Sequence, residues 1–194
     1  MKIQSVILMA VVLMISLSGC SAGKISPDAS MKKMCNAFLY LDENDLKDFN
    51  ASSEQIHEMY AGFFKKATGG INFTDEQADR IADALIEQMR EKIKFSVKTE
   101  SESDNKAVVA VTVTGINFNE TVNKLNFNYD VENTTDEQLS EMVTNAIIEQ
   151  IKTVQNTPTE IVKFNCEFDE EFKLWIPEGS SENNLTPLFS AALK

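Results

Sequence analysis

An unbroken apolar run from Val6 to Ile15 comes first, followed by Leu17, and beyond it the apolar residues fall at regular spacings. The run matches a signal-peptide core and falls short of the ~20 apolar residues that a membrane-spanning helix needs. From Ser26 the period is helical: Ser26 is a candidate cap, Pro27 opens the first turn, and Met31, Met34, Cys35, Phe38 and Leu39 recur on one face. "DENDLKDFN" breaks that pattern, with room for one short helical turn. A further helix is expected from Ser52 or Ser53, with Ile56, Tyr60 and Phe63 or Phe64 inward and Gly69-Gly70 as its stop. The next carries Thr74 and Gln77 at capping-box spacing and a stripe of Ile81, Leu85, Ile86, Met89 and Ile93.

The period then becomes two. Phe95 and Val97 alternate with polar residues, "SDNK" supplies a turn, and Val109, Val111 and Val113 alternate in turn, which predicts an antiparallel hairpin with one buried face. Residues 119–131 fit either period, and the alternation of Leu125, Phe127, Tyr129 and Val131 favours a strand. A helix capped by Thr134 or Thr135 follows, with Leu139, Met142, Val143, Ile147 and Ile151 on one face. A second hairpin places Val162, Phe164, Cys166 and Phe168 on one side, turns at the acidic run Glu167, Asp169, Glu170 and Glu171, and returns through "FKLWIP". Thr186 and Pro187 start a short closing helix. Helices, a hairpin, a helix and a second hairpin describe an α+β domain, its antiparallel sheet of at least four strands curved around the leading helices.

The leader changes this picture most. Leu17-Ser18-Gly19-Cys20 resembles a bacterial lipobox, in which small residues fit the signal peptidase and the cysteine thiol receives diacylglycerol. The resemblance implies a signal peptide over residues 1–19, a lipidated Cys20 with a tether over 20–27, and a globular domain over 28–194. It also implies palmitate-type acylation by two or three chains and an extracytoplasmic protein attached to a bacterial membrane through its lipid. Each buried methylene adds about 0.8 kcal/mol, and more than one chain makes such an anchor stable.

Acidic residues outnumber Lys and Arg by 30 to 18, a formal net charge of -12. That surface repels phosphate backbones, which excludes nucleic acid as a natural partner, and makes the lipid the means of attachment. The chain beyond the leader is about 175 residues, enough for one domain with a real core.

In layout, the lipobox, the helix in "MKKMCNAFLYLDENDLKDF", the long Val-rich strand and the late "FKLWIP" strand resemble a group of bacterial lipoproteins with a cystatin-like or NTF2-like domain. This chain departs from the group in its break, Leu41-Asp42-Glu43-Asn44-Asp45, and in the adjacent Trp175-Ile176. The resemblance implies no catalytic residues. It does imply that the first helix packs on the sheet, which would bring Cys35 towards Cys166. Two readings stay open: a disulfide, which persists outside the cytoplasm, or two separate buried thiols.

Little else carries chemistry. His57, the one histidine, stands among Glu54, Gln55 and Glu58 with no local motif presenting a nucleophile, so it reads as a boundary residue. Asp42, Glu43, Asn44 and Asp45 offer oxygens for calcium, but an EF-hand loop counted from Asp42 would need Gly and Glu where Lys47 and Ser53 stand. Zinc would need more Cys and His than the chain brings together, so neither metal nor cofactor is expected. Phe38, Phe63, Phe64, Phe95, Phe164, Phe168 and Phe172 read as core, and Trp175, of opposite parity to Phe172, Leu174 and Ile176, lies under the closing helix or exposed. The expectation is a non-enzymatic, lipid-anchored domain that binds an envelope protein or acts as a scaffold. The alternative is a module for a small apolar ligand held between sheet and helices, in a cavity of about 300 Å³ or more.

Overall fold

A computed structural model describes residues 25–67, 71–124, 134–179 and 185–194. The lipobox-like residues Leu17 to Cys20, the helix stop expected at Gly69-Gly70 and residues 125–131 lie outside the described residues. Within them the chain forms α1 (Pro27–Tyr40), α2 (Glu43–Lys47), α3 (Ser53–Ala67), α4 (Asp75–Lys92), β1 (Lys94–Ser103), β2 (Lys106–Thr114), α5 (Phe118–Asn123), α6 (Asp136–Lys152), β3 (Glu160–Asp169), β4 (Leu174–Pro177) and α7 (Thr186–Ala192). The class is α+β: these seven helices accompany one antiparallel sheet in the order β1-β2-β3-β4.

Local signals set most boundaries. Ser26 is extended at the α1 cap with Pro27 behind it, and α1 ends at Leu41, whose left-handed backbone (φ 52) turns its N–H back to Asn36 O. Of the two serines before α3, Ser52 does the capping: its hydroxyl accepts from Gln55 N and its N–H donates to Gln55 Oε1. Thr74 with Gln77 and Thr135 with Gln138 complete reciprocal capping boxes. The closing helix differs from expectation. Leu185 occupies the cap position without a side-chain bond, and Thr186 is already helical.

The ladder fixes which side chains share a face. Phe95 opposes Val113, Val97 opposes Val111, and Val111 opposes Val162. Val109 opposes Phe164, Ala107 opposes Cys166, and Phe168 opposes Trp175. This inner face is covered by α1, which runs from β4, where Ser30 meets Trp175, to β1, where the Tyr40 and Phe95 rings stand 5.4 Å apart. The outer face carries Lys98, Thr112, Lys163 and Asn165, with Ile161 66% exposed among them. Behind α1, α4 packs on α3 and α6, and one continuous core runs from α1 to α7. At the end of β2, Gly115 lies so near α7 that a β-carbon would come within 2.6 Å of Ala192 O.

Three further expectations fail for physical reasons. Residues 118–123 are helical, so the strand favoured for 119–131 does not begin there; Phe118 and Thr121 are buried one helical turn apart. Met142 is 50% exposed, because the buried face of α6 runs through Ser140, Val143, Thr144, Ile147 and Ile151, and its two polar members concealed it. Trp175 is on the inner face. The connection over 170–173, with Lys173 at φ 55, sets Trp175 opposite Phe168, and a one-residue shift in register exchanges the faces of a strand.

Candidate functional site

The start of α1 is tied by hydrogen bonds to the β3–β4 hairpin. The β3–β4 hairpin is held by Asp169, whose Oδ1 accepts from Glu171 N and Phe172 N. Asp169, Glu170 and Glu171 therefore form a hydrogen-bonded turn, with Glu170 also paired to Lys173, whereas Glu167, expected in the turn, lies within β3 opposite Ile176 because the ladder runs on to Asp169. That turn delivers Trp175, fully buried, edge-on to Phe168 with ring centres 5.5 Å apart. Its indole Nε1–H donates to Ile25 O at 2.9 Å, and its backbone N–H donates to Ser30 Oγ at 3.1 Å. Two bonds thus fasten β4 to the first turn of α1. Sequence reasoning passed over Ile25 and Ser30, although Ser30 stands four residues before Met34, a polar residue on the buried stripe.

Next to this end, Phe168 N donates to Asn105 O, so the β1–β2 turn is drawn alongside. Lys106 pairs with Glu178, which holds its ammonium pKa above the ordinary value.

A second polar cluster bridges α4 and α6. Gln77 Nε2 donates to Ser140 Oγ and Glu141 Oε2, and Arg80 Nη1 donates to both Glu141 oxygens at 2.9 and 3.1 Å. The Gln77 amide and then the Arg80 guanidinium hold the Glu141 carboxyl below its ordinary value. A carboxylate so engaged favours its charged form, which suits a structural clasp better than proton transfer.

The residues singled out from sequence do not converge. His57 Nε2 lies 2.9 Å from Asp83 Oδ1, joining α3 to α4, and among the described residues no serine or cysteine hydrogen-bonds the ring. Asp42 Oδ1 caps α2 by accepting from Asn44 N and Asp45 N, while Asp45 accepts from Lys33 and Asn36. Asp42 and Asp45 are thus engaged in capping and pairing, and Glu43 accepts from the Ser53 hydroxyl. Lys33 is further bonded to Asp48, the main reason its pKa is raised. Cys35 and Cys166 are both buried and free, and burial pushes each thiol up to about 12. The Cys166 thiol donates to Phe164 O. Neither thiol has the electropositive, accessible surroundings that make a cysteine reactive. Phe63 and Phe64 meet edge-on at 5.2 Å, and Phe64 meets Phe118 at 6.3 Å. Nearby on α3, the Tyr60 hydroxyl is buried with no hydrogen-bond partner among the described residues.

Residues 26–160 match a family described as a domain of unknown function (DUF5105), and the chain belongs to that family. The matched stretch starts at the cap of α1 and ends as β3 begins, so Trp175 comes from outside it. Among solved structures, the chain is similar to a crystal structure of a candidate lipoprotein (ycdA) from Bacillus subtilis, with 14% identity and a TM-score of 0.58. The similarity covers 87% of this chain and 56% of that one, so this chain spans little more than half of its neighbour's length. At that identity the likeness shows the fold alone. No curated protein matches the chain. Among the described residues no helix is long and apolar enough to cross a membrane.

Proposed function

We propose that the protein is a lipid-anchored lipoprotein of a bacterial envelope, attached through Cys20, whose domain is a non-catalytic binding or scaffold module. The observation that carries this reading is the apolar run closing on Leu17-Ser18-Gly19-Cys20. The Bacillus subtilis neighbour, itself described as a candidate lipoprotein, has a similar fold, which supports the same reading. The non-catalytic part is supported by what the polar side chains do: His57, Asp45 and Glu141 each hold one helix to another, Asp42 caps α2, and Asp169 closes the β3–β4 turn. The cystatin-like or NTF2-like assignment belongs to this proposal too, supported by a long helix lying along the inner face of an antiparallel meander.

Fractionation of cells producing the full chain tests the anchor. Wild type should sediment with membranes, and Cys20→Ser should lose that association; equal sedimentation of the two would contradict it. Native mass spectrometry of the soluble fragment from Ser21 onward tests the module. A clean mass, with capture of an envelope protein by crosslinking on intact cells, is the expected result. A copurified apolar adduct would replace the scaffold reading with the small-ligand alternative, which the orphaned Tyr60 hydroxyl favours as the point where a polar group of such a ligand would bond.

A further inference from the structure

We propose that the anchored protein holds one particular end against the membrane: the first turn of α1 together with the β3–β4 hairpin, fastened to each other by Trp175. The inference rests on the reading of Cys20 as the lipidated residue. Four residues lie between Cys20 and Ile25, which makes five residue steps, and at about 3.3–3.6 Å per step they span at most about 18 Å.

No slack remains beyond Ile25. Its carbonyl accepts from the Trp175 indole, Ser30 N donates to Ser26 O in the first helical turn, and Ser30 Oγ accepts from the Trp175 backbone. A compact domain of about 175 residues has a radius of gyration near 16 Å and is about 40 Å across. The path around it to the opposite pole, about 60 Å, exceeds the tether several times over. Only surface close to Ile25 can therefore reach the bilayer that carries the anchor. α1 leads away from that point, its 14 residues covering about 20 Å to Tyr40, whose hydroxyl bonds Ile93 O.

The chemistry of this end indicates what holds it there. Asp169, Glu170 and Glu171 on one turn and Asp104 on the neighbouring turn outnumber Lys173 and Lys106. Anionic headgroups repel such a surface over a Debye length of about 8 Å at physiological salt. The tether, and not charge attraction, sets the orientation, and the surfaces near the far end of α1 are left open to partners in the envelope.

Trp175 is the only tryptophan in the chain and is thus a native reporter. The test uses the full lipidated chain in phosphatidylcholine vesicles carrying a dansyl-headgroup lipid, with flotation and tryptophan-to-dansyl energy transfer read on the same sample. The far reporter is Glu91→Trp in a Trp175→Phe background, placed on the exposed surface beside Ile93. A third chain carries ten Gly/Ser residues inserted after Ser21, which loosens the tether. The proposal expects flotation of all three, transfer from Trp175 several-fold stronger than from position 91, and a marked drop on tether insertion. Flotation with transfer from Trp175 equal to or weaker than that from position 91 overturns the orientation while the anchor stands. Strong Trp175 transfer that tether insertion leaves unchanged overturns it as well, because the surface would then adhere by itself. Failure to float removes the anchor reading and this inference with it.

Discussion

Trp175 and Ile25, 150 residues apart in the chain, are joined by an indole N–H to carbonyl bond of 2.9 Å inside the fold. With Ser30 holding the Trp175 backbone, the edge strand and the first helix share one fastening. Trp175→Phe keeps most of the packing on Phe168 and loses one hydrogen bond, so it should cost about 0.5–1.5 kcal/mol. Trp175→Ala also empties a fully buried site and should cost about 3–5 kcal/mol. Ser30→Ala leaves a buried N–H unpaired, at about 1–3 kcal/mol. Denaturant unfolding should show Trp175→Ala as the least stable of the three, and a Trp175→Ala chain as stable as Trp175→Phe would contradict the fastening.

Tyr60 predicts the opposite sign. Its hydroxyl is buried and unpartnered, and burial pushes the phenol above its ordinary pKa. An unsatisfied buried hydroxyl costs about 1–3 kcal/mol, so Tyr60→Phe should be neutral or stabilising by about 1 kcal/mol. Thermal unfolding of the two chains measures it. A loss of stability would show that a buried water or ligand bonds the hydroxyl.

The clasp between α4 and α6 gives a pH dependence of defined sign. Glu141 has a folded pKa below its ordinary 4.5, with Gln77 the first cause and Arg80 the second. Such a group contributes stability above its unfolded pKa and loses it as pH falls through the folded value. Between about pH 6 and pH 3, wild type should lose more stability than Glu141→Gln, and the two should converge at the acid end. Parallel curves would remove Glu141 from the acid response.

Much of this architecture is legible in the residue pattern. Ile81, Leu85, Ile86, Met89 and Ile93, and likewise Val109, Val111 and Val113, mark buried faces dominated by apolar residues, and such faces declare themselves through period alone. Polar residues on buried faces are what the pattern conceals. Ser140 and Thr144 shift the apparent stripe of α6 towards Met142, and Ser30 hides a contact with a strand 145 residues away. The face of Trp175 was illegible for another reason: it depends on how the turn over 170–173 sets the register, a property of backbone geometry that hydrophobic alternation does not carry. The candidate site follows the same division. Its lipobox-like half is local sequence, and its clasp with β4 exists only once the sheet has formed.

Cys35 and Cys166 give a prediction of reactivity. Both thiols are raised from 9.0 to about 12 by burial. In a Cys20→Ser chain at about pH 8, a thiol reagent should react slowly with the native protein and with two thiols after denaturation without reductant. Raised thiol pKa values also mean that stability is full below pH 9.0 and declines as the pH climbs towards 12. Denatured protein with no reactive thiol would mean that the two are joined as a disulfide.

The intact mass of the protein extracted in detergent from its own membranes tests the central claim most directly. The account predicts a chain beginning at Cys20 that carries a diacylglyceryl group, with or without a further acyl chain, and the loss of that species in Cys20→Ser. An unmodified chain, cut elsewhere or not cut at all, would contradict the anchor and every consequence drawn from it.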